Sequence, residues 1–336
     1  MLPLQFLLRL LSGVLPILVA STTLAASPFR DVPQGNFAYD AIVYLSDHNV
    51  LTGYADGTFK PDKKVNRAEA LKLIASVFIP KTETVRLQSA DFTDVPDDAW
   101  YLPSLEWALT KRVIDGPPTV GQFHPTRTVT KAEFLKMLYV SYGVDRKAFN
   151  DIVLPLSSDL TDTTAWYYPS LRYAVSTATT VISDSGLYGP HRELTRSDVA
   201  LLLYRYTLYR NGQRTQELLT ETRKDVESVI AALSKGNMDN AEYASARAIL
   251  LARGALQTEP DEAVVKVAVK IAEGYRALTR AYRAGLGGDV NAVIKLSADA
   301  STLASQARKI SADAKTLADQ LDQYAKSFAQ QAKGKK

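Results

Sequence analysis

Gly53-Tyr54-Ala55-Asp56-Gly57-Thr58-Phe59-Lys60-Pro61, followed five residues on by Asn66-Arg67-Ala68-Glu69, is the stretch that decides the fold. Asp56-Gly57 supplies the backbone angles of a tight turn, so residues 54–59 read as a loop. Asn66 with Glu69 three residues later is a capping box, which starts a helix. Ala70-Leu71-Lys72-Leu73-Ile74-Ala75 then gives that helix a strongly apolar body. Upstream, Ala41 to Asp47 has amphipathic helical spacing, with Gly53 behind it as stop and turn residue. The stretch predicts a helix–loop–helix unit.

The unit repeats with a period of about 65 residues. Phe29-Arg30-Asp31-Val32-Pro33 opens the first copy and Phe92-Thr93-Asp94-Val95-Pro96 the second, each with an aromatic, Phe37 or Trp100, eight residues after the Phe. Phe123-His124-Pro125 matches Phe59-Lys60-Pro61, and Thr130-Lys131-Ala132-Glu133 matches the first capping box. A looser third copy opens at Phe149-Asn150-Asp151-Ile152. It continues through Ala165-Trp166-Tyr167-Tyr168-Pro169-Ser170-Leu171 and reaches Thr195-Arg196-Ser197-Asp198, a weaker box because Asp is shorter than Glu. On this register an insertion lies between Phe149 and Trp166. One helix–loop–helix cannot bury its apolar face alone, so the three copies are expected to share one core. The expected organisation is a signal peptide over 1–26, units over 27–85, 86–146 and 147–212, and a helical domain over 213–336.

The order Phe-x-Asp-Val-Pro, aromatic, Gly-Tyr-x-Asp-Gly-x-Phe-x-Pro and then Thr-Arg-Ala-Glu resembles the S-layer homology domain, over roughly residues 29–210. The resemblance implies an all-α, pseudo-threefold bundle with ligand grooves between neighbouring units. The implied ligand is a secondary cell-wall polysaccharide, often bearing an acidic pyruvyl ketal, or a peptidoglycan-linked glycan.

Three residues carry that expectation most directly. Arg67, Lys131 and Arg196 each put a cation in the first turn of the second helix, against the helix dipole, at a cost of roughly 0.3–1 kcal/mol. A capping box does not account for three such placements in register; free helix N–H groups plus a cation would suit a carboxylate. Lys131 lacks the planar fork of Arg. Trp100 and Trp166 are candidates for stacking on a sugar face, with core anchoring as the competing role. Tyr54 offers a ring and a hydroxyl, and Gly53, Asp56 and Gly57 complete the candidate loop. Pro117 stands at the second copy's equivalent of Tyr54, and Ser183 to Gly186 replace the motif in the third, so the grooves are unequal. Asp31, Asp94 and Asp151 read as cap or turn residues.

Composition excludes much else. Net charge is +4, all of it from residues 213–336, and no polybasic stripe argues for nucleic acid. The chain has no cysteine, hence no disulfide, thiolate metal site or acylated cysteine. His48, His124 and His191 lack metal spacing, and Asp94, Asp97 and Asp98 lack the spacing of a calcium loop. No phosphate loop, dinucleotide fingerprint or nucleophile elbow is present, so neither a cofactor nor catalysis is expected. Residues 1–26 read as an export signal, with an apolar run from Leu10 to Ala20 and small residues at Ala25-Ala26.

From about Thr215 the chain turns Ala-rich. Helices are expected over 214–234, 239–253 (ended by Gly254), 260–284 and 289–331. In the last, Leu296, Leu303, Ile310, Leu317 and Tyr324 alternate with Ala300, Ala307, Ala314, Leu321 and Phe328 at heptad spacing. That stripe permits an intrachain bundle or a homo-oligomeric coiled coil through 289–331. The leading expectation is an exported, non-enzymatic cell-wall anchor displaying a helical domain at the cell surface. A self-assembling S-layer or periplasm-spanning component is the alternative, and a wall-modifying enzyme comes behind both.

Overall fold

The computed structural model describes residues 27–78, 92–115, 120–145, 148–183 and 185–334. The expected signal peptide and Pro117 lie outside these residues. Three capping boxes set the frame. Asn66, Thr130 and Thr195 each accept the backbone N–H three residues on, and Glu69, Glu133 and Asp198 reach back to the cap N–H. The third box is complete, since Asp198 accepts Thr195 N–H at 2.8 Å. These boxes start α2 (Arg67–Ala75), α4 (Lys131–Ser141) and α6 (Arg196–Arg210). Ahead of them run α1 (Tyr39–Asp47), α3 (Leu102–Thr110) and α5 (Tyr168–Ser176), the last two with proline in the first turn, where a missing N–H costs nothing.

The three units close on each other in a ring. Val65 N–H donates to Leu194 O (3.0 Å), Leu194 N–H to Val129 O (3.1 Å) and Val129 N–H to Val65 O (3.0 Å), so one residue before each box joins a cyclic triad about the pseudo-threefold axis. Around it α2 packs on α3, α4 on α5 and α6 on α1. Ile42, Phe59, Leu71, Leu105, Phe134, Leu138, Leu171 and Leu203 are fully buried in the shared core.

Two details of the units differ from expectation. The first helices stop at Asn49, Arg112 and Ala178, which take φ of +58°, +54° and +48°; Gly53 is not the stop. A Cβ on Gly53 would lie 2.3 Å from the Phe29 ring, so glycine is required there for close packing. The third copy does not open at Phe149. Asp31 accepts the N–H groups of Phe59 and Lys60, and Asp94 those of Phe123 and His124; in the third unit Asp159 does this for Tyr188 and Gly189. Asp151 instead pairs with Arg253 of the second half. The true register is hidden because Ser157 stands where the other units have Phe29 and Phe92. Most of the extra residues therefore precede Ser157, with a single one between Asp159 and Trp166, which stand one position further apart than Asp94 and Trp100.

The second half is a bundle of α7 (Thr215–Ser234), α8 (Met238–Thr258), α9 (Ala263–Leu286), α10 (Val290–Ile310) and α11 (Lys315–Lys333). The single helix expected over 289–331 is broken. Ser311 leaves the helical region at φ −149° and ψ 136°, a short 3-10 turn follows, and α11 folds back on α10 and α9. Ala300, Ala307, Ala314 and Leu321 of the heptad stripe are buried within the chain. Gly254 is likewise interior to α8 and does not end it. A Cβ there would sit 1.6 Å from Ser176 O, so glycine is what lets α8 lie against the end of α5. Arg247 adds a buried tie, with Nε 3.0 Å and 3.1 Å from the two carboxylate oxygens of Asp225 and Nη1 donating to Leu156 O at 2.8 Å. The helical half is thus docked on the third unit.

Candidate functional site

Ring closure places the first turn of each second helix against the loop of the next unit. Arg67 and Ala68 donate their N–H groups to Arg127 O and Pro125 O, Lys131 and Ala132 to Arg192 O and Pro190 O, and Arg196 and Ser197 to Lys63 O and Pro61 O, all at 2.9–3.1 Å. The third N–H is taken by the capping side chain. The helix amino ends are therefore not free for an anion, contrary to expectation; backbone of the neighbouring unit satisfies them. What each seam offers is the side chains.

The three cations meet different surroundings. Arg196 is 8% exposed; its Nε donates to Phe59 O at 2.7 Å and its Nη2 to Thr52 O at 3.0 Å, while the guanidinium faces the rings of Phe59 (4.5 Å) and Tyr54 (5.0 Å). Lys131, also buried, donates to Tyr188 O, and burial with nearby Arg192 pushes its pKa down to about 8. Arg67 is half-buried over the Phe123 ring at 5.3 Å, and among the described residues no carboxylate pairs with it. Burial holds both arginines below their ordinary pKa, which leaves them charged. The sequence places these cations at equivalent positions; the structure makes two of them ties between units and, among the described residues, gives the third no such backbone acceptor.

Aromatic side chains line the same seams. Trp100 and Trp166 are 55% and 53% exposed, so neither is a core anchor. Phe37, their counterpart in the first unit, is also exposed. It was legible as the aromatic eight residues after Phe29. Lys72 reaches over Trp100 from the preceding unit at 5.1 Å, and Lys136 over Trp166 at 5.5 Å. These lysines carry no motif and emerge only from the ring closure. In the seam between the first two units the rings run in series: Phe123 lies 5.8 Å from Tyr101, which lies 5.3 Å from Trp100.

The remaining candidate residues build the loop. Asp56 accepts from the backbone and hydroxyl of Thr58, which holds its carboxyl below the usual carboxylate range. Gly57 turns the chain at φ +76°, and Gly186 makes the same turn at +78° in the third unit, where the sequence shows no Asp-Gly. Tyr54 stands above Arg196, its ring 4.1 Å from Lys60 Nζ and its hydroxyl accepting from Lys63 Nζ at 3.1 Å. Cations also neutralise the capping acids. Lys63 pairs with Glu69, and Arg127 and Arg192 hold Glu133 and Asp198 through two bonds each. Among the described residues no cluster of metal-ligating side chains is present.

The S-layer homology domain model matches residues 28–71 and 91–135. The Surface-layer 125 kDa protein of Lysinibacillus sphaericus is 28% identical over 174 residues, 50% of this chain and 14% of that protein. S-layer protein EA1 of Bacillus anthracis is 26% identical over 184 residues, 54% of this chain and 20% of its own. A cellulosome-anchoring protein of Acetivibrio thermocellus is 29% identical over 128 residues, covering 38% and 28%. The chain spans less than a third of each relative's length.

Proposed function

From the premise that the chain carries S-layer homology domains at residues 28–71 and 91–135, we propose that it is a non-enzymatic anchor binding an acidic cell-wall polysaccharide at the cell surface. The third helix–loop–helix unit acts as a third such domain, supported by its complete capping box and by Asp159 in the role of Asp31 and Asp94. One observation carries the ligand chemistry. Two seams set an exposed tryptophan under a lysine of the preceding unit, Trp100 under Lys72 and Trp166 under Lys136, and the same seams carry Arg67 and Lys131, a combination that a sugar ring bearing a carboxylate would need. Arg67 is the primary anion contact because its guanidinium has no competing acceptor among the described residues, with Trp100 of the same seam as the stacking surface. The seam of Arg196, Tyr54 and Lys63 is the second site, whereas Lys131, tied to Tyr188 O, contributes least. The relatives named for surface layers and for cellulosome anchoring support the attachment role.

Cosedimentation with purified cell walls tests this, before and after mild-acid or hydrofluoric-acid stripping of the polysaccharide. Wild type should pellet only with unstripped walls. Equal pelleting with stripped walls overturns the polysaccharide assignment.

A further inference from the structure

Glu106 lies on α3 at 5% exposure, and among the described residues neither of its buried carboxylate oxygens has a hydrogen-bond partner. Counted from Phe37, Trp100 and Trp166, its counterparts in the first and third units are Val43 and Arg172, both also buried. Val43 needs no partner, and Arg172 donates to Asn150 Oδ1. The same slot thus holds an apolar residue, a carboxylate with no acceptor of its charge, and a tied cation. An ionised carboxylate taken out of water without a partner is costly, and such a group keeps its proton instead.

No charged group among the described residues relieves that cost. α3 packs on α2, whose Arg67 lies over Phe123, whose Glu69 closes the capping box and pairs with Lys63, and whose Lys72 reaches over Trp100. α3 carries no second ionisable side chain of acid or base type, and Lys111 and Arg112 just past its end are exposed. Burial alone acts on Glu106 and raises its pKa. The helix it sits on begins directly behind Trp100 and Tyr101, and Tyr101 packs on Phe123, the ring beneath Arg67. A change in the hold on α3 therefore reaches the seam between the first two units.

We propose that Glu106 makes this seam pH-sensitive: as the neutral acid it packs as Val43 does and holds α3 in place, and on losing its proton it loosens α3 and the placement of Trp100 and Tyr101 for a wall ligand. The binding half of this inference rests on the wall-anchoring reading above. Folded Glu106 keeps its proton to higher pH than the unfolded chain. The stability it permits is complete below the ordinary value of 4.5 and is lost as pH rises through the folded value.

Thermal melts and wall cosedimentation of the full chain at about pH 5 and about pH 7.5, below the window in which Lys131 titrates, test the proposal. Glu106→Gln keeps the shape without the charge. Between the two pH values wild type should lose at least about 3 °C of Tm relative to Glu106→Gln. Its retention on walls should fall at least about threefold while that of Glu106→Gln stays level. Glu106→Val, with the side chain that the first unit places in this slot, should melt above wild type at the higher pH. Parallel melting profiles of wild type and Glu106→Gln would show an ordinary, solvated carboxylate and overturn the proposal. Differing profiles with pH-independent retention of both proteins would overturn the link to the seam and leave wall binding standing. Pelleting of neither protein at either pH would overturn the wall-binding reading, and the link to the seam with it.

Discussion

Replacing Arg196 by alanine should damage the fold, whereas replacing Arg67 should damage only binding, although the two occupy the same position in their units. Arg196 is 8% exposed and its guanidinium satisfies two backbone carbonyls of the first unit, Phe59 O and Thr52 O. A hydrogen bond from a charged group contributes about 1.5–3 kcal/mol, and the pair is offset by the cost of burying the charge. The expected net loss for Arg196→Ala is about 3 kcal/mol. For a cooperative unit of roughly 200 residues that corresponds to a fall of about 6–12 °C in Tm. Among the described residues the side-chain contact Arg67 has to lose is its cation–π contact over Phe123, about 0.5–1 kcal/mol. Thermal melts read by circular dichroism measure the first difference, and wall cosedimentation at matched folded fractions measures the second. Arg67→Ala should melt within about 3 °C of wild type yet lose most retention. An Arg196→Ala protein as stable as wild type would refute the tie between units, and an Arg67→Ala protein that pellets normally would refute the anion contact.

Asp159→Ala strands the N–H groups of Tyr188 and Gly189 and should cost about 2–4 kcal/mol in urea denaturation, while Asp151→Ala, whose partner pairing is exposed, should cost under about 1 kcal/mol; the reverse ranking would restore the Phe149 register. Lys131 is depressed from 10.5 to about 8 in the fold, so the unfolded chain binds more protons between these values and stability should rise with pH across about 8 to 10.5. Relative to Lys131→Met, which cannot titrate, wild type should gain up to about 3 kcal/mol over that window, and parallel profiles would show that Lys131 is not desolvated. Gly254→Ala forces a Cβ into the Ser176 carbonyl oxygen and should cost roughly 3 kcal/mol, with faster hydrogen exchange at the α5–α8 contact; unchanged protection there would mean the two halves do not pack as described.

Local chemistry carried far enough to place every second helix of the three units. The cap residues Asn66, Thr130 and Thr195 with their acids are read without knowing what surrounds them, because a capping box closes within four residues. The register of the third unit was not legible, since its opening Phe is replaced by Ser157 and a misleading Phe149 lies upstream. The run of α8 through Gly254 and the break at Ser311 were not legible for a related reason. A glycine within an Ala-rich helix looks like a stop unless a neighbour is known to need the space, and a heptad stripe continues in sequence whether the helix runs on or folds back.

The sequence by itself determined the repeat, the helix starts, the apolar faces and the equivalence of Arg67, Lys131 and Arg196, because periodicity and capping are encoded over a few residues. Only the tertiary structure decided what those equivalent cations do. Arg196 meets the carbonyl of Phe59 across 137 positions of chain, and Tyr188 O reaches Lys131 across 57, while Arg67 has no such acceptor among the described residues. Closing three units into a ring fixes which loop each cation faces, and small differences between loops then decide whether its charge is spent on backbone carbonyls.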